Sequence, residues 1–290
     1  MKQNKICSNV DYHGIRDGRL TQFINCGKYD LDRDNWKSLE ELFCRWNFDF
    51  VDLLFLKLTN RRPVERDKQL FSRTLMILSL GTGCHPPSVM VPKLIASTTK
   101  NRDFAVINGL IGGLAAMGTD HLGAVSGLMR MMVSIRERAG DSGLDEGVRQ
   151  YLDEKFSKGE KIMGFGHPVY EKDPRPELLL KEIQRAGGTN AYLEVYELLR
   201  EEIEARKRIY PNIDAVLALS YLVLGFEPEH GIYLSFISRS LSMVLHILEE
   251  VPKKPFAFLN EMVSLEDFSP GPMGAGQDMP GKMADKNGEL

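Results

Sequence analysis

Two apolar stretches decide how this chain folds: Ile213-Asp-Ala-Val-Leu-Ala-Leu-Ser-Tyr-Leu-Val-Leu224 and Ile232-Tyr-Leu-Ser-Phe-Ile-Ser-Arg-Ser-Leu-Ser-Met-Val-Leu-His-Ile-Leu248, with Gly225-Phe-Glu-Pro-Glu-His-Gly231 between them. Their apolar side chains recur three and four positions apart, the period of an α-helix. Working outward, the same period runs through 191–208 and 176–186, with Gly187-Gly188 between them as a C-cap and turn. Further upstream 123–138, 102–117, 92–99, 65–80, 48–58 and 36–46 read as helices. They are punctuated by His85-Pro-Pro87, Gly81-Thr-Gly83 and Asn60-Arg-Arg-Pro63. Small residues crowd Ile107-Asn-Gly-Leu-Ile-Gly-Gly-Leu-Ala-Ala116, so another backbone approaches there, either in a core or at a subunit interface. No segment alternates like a strand, so an all-α protein is expected. The tail from Ser264, rich in Gly, Pro and Met, has no periodicity.

The bulk numbers restrict the function classes. The chain has 290 residues, 43% hydrophobic and 27% charged, the composition of a soluble globular protein that buries a sizeable core. A formal charge of −3 and the lack of a basic stripe give no reason to expect nucleic acid or a membrane as partner. A local basic pocket for a phosphorylated ligand stays open. Cys7, Cys26, Cys44 and Cys84 lack C-x-x-C spacing and read as reduced thiols. The start, MKQNKICSNVDYHG, lacks an apolar signal region, and the run Ile213–Phe226 is short for a bilayer and carries Asp214. These features predict a cytoplasmic protein.

Candidate chemistry lies where helices are interrupted. His85 sits in Gly83-Cys-His-Pro-Pro-Ser88, His121 in Gly118-Thr-Asp-His-Leu-Gly123, His167 in Gly164-Phe-Gly-His-Pro-Val-Tyr170, and Asp214 follows Pro211-Asn-Ile. Such positions let side chains converge on a ligand. Each also has a plainer role: the histidines could be junction residues, and Asp214 a helix cap. His13, His230 and His246 read as structural. Arg175 lies in a loop, and Arg239 interrupts an apolar helix, where it needs either an ion-pair partner or a ligand carboxylate. No metal site is expected, because the histidines have no ligand spacing; a serine triad and a dinucleotide loop lack their motifs as well. Histidine and carboxylate acid–base chemistry remains.

Five segments, in order, resemble the citrate synthase family. Cys84-His-Pro-Pro-Ser88 with Lys93-Leu-Ile-Ala-Ser-Thr98 is similar to its D-H-E-x-N-x-S…R-x-x-A-S-T. Gly118-Thr-Asp-His-Leu-Gly-Ala124 is similar to G-P-L-H-G-G-A, and Gly164-Phe-Gly-His-Pro-Val-Tyr170 with Asp173-Pro-Arg175 to G-F-G-H-x-V-Y…D-P-R. Tyr210-Pro-Asn-Ile-Asp214 and Ile237-Ser-Arg239 with His246 complete the set, over roughly 71–255. The resemblance implies a C–C bond made or broken between an acyl-CoA, such as acetyl-CoA, and a keto acid, such as oxaloacetate; citryl-CoA would be the thioester cleaved. Asp214 would take the proton beside the thioester, His121 would donate to the thioester oxygen, and His167 would polarise the acceptor carbonyl. His85, Arg175 and Arg239 would hold the acceptor. No covalent cofactor is implied.

The departures are specific. Lys253-Lys-Pro255 stands where the family carries an R-P-R-like segment whose arginine serves the neighbouring subunit, which leaves Lys254 as substitute and puts tricarboxylate recognition in doubt. Asp120 and Leu122 replace a leucine and a glycine, Val125 an asparagine, and Lys93 an arginine. The short chain is similar to stand-alone citryl-CoA lyases. The family implies a homodimer, with a large helical domain from 1–124 and 228–290 and a small, CoA-binding, closing domain at 125–227. The alternatives are the same chemistry on another keto acid, and a non-catalytic module that binds CoA thioesters or a protein.

Overall fold

In a computed structural model of the chain, the described residues are 15–16, 19–20, 44, 47–79, 86–99, 101–119, 121–140, 143–167, 170–187 and 190–262. A two-residue antiparallel pair, β1 (Ile15–Arg16) and β2 (Arg19–Leu20), precedes the helices. The helices are α1 (Phe50–Thr59), α2 (Glu65–Ser79), α3 (Pro87–Thr98), α4 (Arg102–Ala115), α5 (Ala124–Ala139) and α6 (Leu144–Ser157). Then come α7 (Arg175–Ala186), α8 (Ala191–Lys207), α9 (Ile213–Val223), α10 (His230–Glu250) and α11 (Ala257–Met262). The all-α expectation holds. The expected helix at 36–46, the tail from Ser264, and His13 and His85 lie outside the described residues.

Besides the β1–β2 pair and the short α11, which the sequence reading did not anticipate, α6 and α3 differ from the expectation. Helix α6 escapes the periodicity because Val148 and Leu152 are its only fully buried large apolar side chains, diluted by charges. Its contact with α5 is nonetheless close: a Cβ on Gly147 would lie 3.1 Å from the Cβ of Ala139. Helix α3 starts at Pro87, not at Pro92. Pro87 suits the first turn, which has no use for its missing N–H, and Pro92 is carried inside the helix at the cost of one backbone bond to Ser88.

Helix α9 runs through the middle of the molecule. Nearly every residue from Ile213 to Leu222 is buried, and it packs on α2, α5, α7, α8 and α10. Side chains such as Leu217 and Leu219 contribute roughly 1.5–3 kcal/mol each through burial. A second, smaller core of Ala96, Ala105 and Ile247 joins α3, α4 and α10. The small-residue stretch is explained there: Cβ atoms on Gly109, Gly112 and Gly113 would lie within 3 Å of Ile247, Ile95 and Met243. Helix α10 is long and apolar enough to cross a membrane by composition, yet its inward face carries buried Ser235, Ser238, Arg239 and Glu250 against the neighbouring helices.

Candidate active site

A short backbone ladder positions two of the predicted residues. Gly166 N donates to Tyr210 O at 2.8 Å, Asn212 N donates to Gly164 O at 2.8 Å, and Asn212 Nδ2 donates to Gly166 O at 2.9 Å. The ladder brings the His167 loop beside the start of α9, where Asn212 also caps the helix by accepting from Asp214 N at 2.9 Å. Gly164 sits at φ +77°, and a Cβ there would lie 2.3 Å from Leu128 Cδ1 and 3.2 Å from Ala215 N. Only glycine allows this approach.

His121 stands on a tight turn closed by hydrogen bonds from Gly118 N to His121 O and from Gly123 N to Gly118 O, both 3.0 Å. The turn forces Leu122 to φ 68°, where the family pattern has glycine. Ser88, in the first turn of α3, presents its amide to His121 Nε2 at 3.4 Å and its hydroxyl at 2.8 Å. An amide can only donate, so Nε2 is the acceptor and the neutral ring carries its proton on Nδ1. Burial, then the Arg239 charge, hold His121 below the ordinary histidine value, which favours that neutral donor form.

His167 is fixed by the same logic. Tyr170 N donates to its Nδ1 at 3.1 Å and the Tyr170 ring packs on it with centroids 4.9 Å apart. Arg175 Nη2 directs an N–H toward Nε2 at 3.5 Å, so the ring is held from both sides. Arg175 is held by Asp173, whose carboxylate accepts from Nε at 2.9 Å and Nη2 at 2.8 Å, and also from Ile213 N at 3.0 Å. Burial works against the Asp173 carboxylate, but the bonds from Arg175 and Ile213 outweigh it and hold it below the usual range.

Asp214 and Arg239 supply the remaining charge. Burial pushes the Asp214 carboxyl up to about 6, against the opposing pull of Arg239 and Arg175. Arg239 is 4% exposed, and its Nε and Nη1 are buried without a hydrogen-bond partner among the described residues. Burial and then Arg175 lower its pKa, while Asp214 raises it. A guanidinium left in this condition costs several kcal/mol until an anion reaches it. Asp214 also lines a cavity of about 600 Å³ with Thr119, Met163, Phe165 and Asn212, and Lys161 and Lys207 are among its walls.

Electrostatic interactions link these residues, distant in sequence, in a chain: His121 with Arg239, Arg239 with Asp214 and Arg175, and Arg175 with His167. Lys254 is exposed on the turn between α10 and α11, and its expected role, serving the site of a neighbouring subunit, is not one that a single chain displays. His230 accepts locally from Glu227 N at 3.2 Å, and His246 faces Glu249 at 3.4 Å. The sequence reading gave no role to Ser88, Asp173 or Tyr170, which orient the rings and Arg175. Asp173, an acidic residue just before Pro174 and a helix start, carried a usable signal. Among the described residues no three His, Cys, Asp or Glu side chains gather as metal ligands.

The chain is similar to known proteins in sequence and in fold. The family model described as citrate synthase, C-terminal domain, matches residues 39–256. Citrate synthase of Heyndrickxia coagulans is 31% identical over 220 residues, covering 74% of this chain and 54% of that protein. The 2-methylcitrate synthase of Mycobacterium tuberculosis is 29% identical over 160 residues, covering 54% of this chain and 38% of the relative. The chain thus spans about half the length, or less, of these curated relatives. Among solved structures, citryl-CoA lyase from Hydrogenobacter thermophilus superposes with a TM-score of 0.66 at 24% identity, over 87% of this chain and 92% of that one, a likeness of fold. With its motifs in register, its helices in the same architecture and most of its length matched, the chain belongs to the citrate synthase family.

Proposed function

We propose that this protein forms or cleaves a C–C bond between an acyl-CoA and a 2-keto acid. The observation that carries the reading is Arg239, a buried guanidinium with two unpartnered donors, placed beside an Asp214 carboxyl whose pKa of about 6 suits a general base. Asp214 takes a proton from the carbon next to the thioester, while His121 Nδ1–H donates to the thioester oxygen as it gains charge. The enol carbon attacks the keto carbon; the carbonyl electron pair moves onto oxygen, which takes a proton at the His167 side. In the synthetic direction water then hydrolyses the new thioester and releases CoA; the lyase direction runs the bond-forming step backward from a citryl-CoA-type thioester. The cavity beside Asp214, with Lys161 and Lys207, suits the acyl-CoA.

A homodimer belongs to this reading. Phe104, Ile107, Ile111 and Leu114 of α4 are exposed in a helical stripe, as are Tyr233, Ile237, Leu241 and Leu245 of α10. Both faces would be covered by a second copy. Motion of 125–227 against the rest would close the site over the enol.

The test is to follow free CoA and thioester with acetyl-CoA plus oxaloacetate or a panel of other keto acids, and with citryl-CoA. Turnover that collapses in Asp214→Asn is expected. Equal rates in wild type and Asp214→Asn on every substrate would instead support a binding module without catalysis.

A further inference from the structure

We infer that the acceptor is a long-chain 2-keto dicarboxylic acid, laid in a groove between α2 and α7 with its far carboxylate against Lys181; this rests on the condensation proposed above. The two helices run antiparallel there. Arg73 of α2 pairs with Glu182 of α7 at the outer end, and further in Met76 and Ile77 lie opposite Leu178 and Leu179. The groove has a volume of about 570 Å³. Met76, Tyr170 and Leu178 stand 56%, 46% and 58% exposed along it, an apolar surface that a methylene chain would cover. Its inner end reaches the reaction centre, because Tyr170 and Arg175 are the same two residues that touch His167. No described residue borders both this groove and the cavity that Asp214 lines, so acceptor and acyl-CoA have separate spaces.

Uncompensated positive charge lies at both ends of the apolar walls. At the inner end Arg175 is bound twice by Asp173, but Arg239, within electrostatic reach of Arg175, keeps two buried donors that no described residue meets. One carboxylate matches it. At the outer end Glu182 is the only carboxylate among the described lining residues, and it is shared: Arg73 pairs with it, and Arg185 reaches it at 2.6 Å. Lys181, exposed on the same stretch of α7, has no ion pair among the described residues. Three cations thus face one carboxylate. Lys181 stands about 9 Å along α7 from Arg175, at the 1.5 Å rise of a helix. An acid with a carboxylate at each end of a hydrocarbon chain answers both charges and covers the walls between them. A short diacid leaves the outer end unreached, and a long monoacid leaves it unanswered.

Full-length protein is titrated calorimetrically with 2-oxooctanedioate, 2-oxooctanoate and oxaloacetate, and CoA release from acetyl-CoA is followed with each. The first two acids differ only in the far carboxylate; the first and third differ only in the chain between the carboxylates. Lys181→Glu and Leu178→Glu change exposed positions, where a charge leaves the fold intact. The expected result is that 2-oxooctanedioate binds about tenfold or more tighter than oxaloacetate and about threefold or more tighter than 2-oxooctanoate, with kcat/KM in the same order. The second margin should shrink in about 1 M salt, because exposed charges are screened, and Lys181→Glu should invert it. Leu178→Glu should weaken both long acids. Failure of 2-oxooctanedioate to bind, preference for either other acid, unchanged binding in Leu178→Glu, or an order that Lys181→Glu leaves as it was overturns the inference. Binding in the expected order, without CoA release from any of the three acids, supports the groove assignment while removing the condensation reading. Turnover of oxaloacetate alone does the reverse.

Discussion

Ser88 fixes the ring of His121: its hydroxyl lies 2.8 Å from Nε2 and its amide presents an N–H to the same nitrogen at 3.4 Å. One residue at the start of α3 therefore selects which nitrogen of His121 can face a thioester.

In Ser88→Ala the weaker amide contact remains and the shorter one is lost. The kcat should fall about fivefold, in line with one lost hydrogen bond of about 1 kcal/mol, with KM for acyl-CoA little changed. Nitrogen chemical shifts of the His121 ring should show a mixed tautomer. An unaltered ring spectrum and unaltered kcat would remove Ser88 from the site.

Asp214→Asn should reduce turnover by about 10²–10⁴-fold, the range for loss of a general base. It should also stabilise the fold at pH 7. The carboxyl is raised to about 6 in the fold from the ordinary aspartate value of 3.8, so the folded state binds the proton more tightly than the unfolded chain does. Stability contributed by this group therefore falls as pH rises between those values. Above about 6 the penalty is complete, on the order of 1–3 kcal/mol, and asparagine removes it. Thermal denaturation of both proteins at pH 4 and pH 7 checks this: the variant's advantage should be larger at pH 7.

The same carboxyl sets an acid limb. Activity should decline as pH drops through about 6, when Asp214 takes up its proton. In Arg239→Met the carboxylate loses a favourable charge, so carbon NMR titration of the Asp214 carboxyl should give a higher midpoint. A lower midpoint would mean that the two groups do not share a site.

Arg239→Met should also raise KM for the keto acid steeply while adding about 1–3 kcal/mol to stability, because two buried, unpartnered donors disappear. A destabilised variant with normal KM would show a structural ion pair instead.

Gly164→Ala should cost about 2–4 kcal/mol, since it combines a positive φ with a Cβ inside contact distance of Leu128 and Ala215. Equilibrium denaturation measures the loss, and residual activity should fall with it.

Most helices were legible because burial imposes a period. The expected 213–224 differs from α9 by one residue, and the expected 191–208 from α8 likewise. Helix α6 was not, since two buried side chains among many charges leave too little pattern. In the site, the motifs marked the histidines, Asp214, Arg175 and Arg239, but Tyr170 acts through its backbone amide, which no residue-type pattern records, and the Ser88 hydroxyl meets His121 from 33 positions away. The α2–α7 groove arises from two helices about a hundred positions apart, so no local stretch could announce it.

The short ladder joining Gly164 and Gly166 to Tyr210 and Asn212 has a further consequence for how the protein fails when heated. The His167 loop and the Asp214 carboxylate are moored to one another at the start of the most enclosed helix of the molecule. Fraying of outer segments leaves that alignment untouched, so thermal inactivation should coincide with melting of the interior itself.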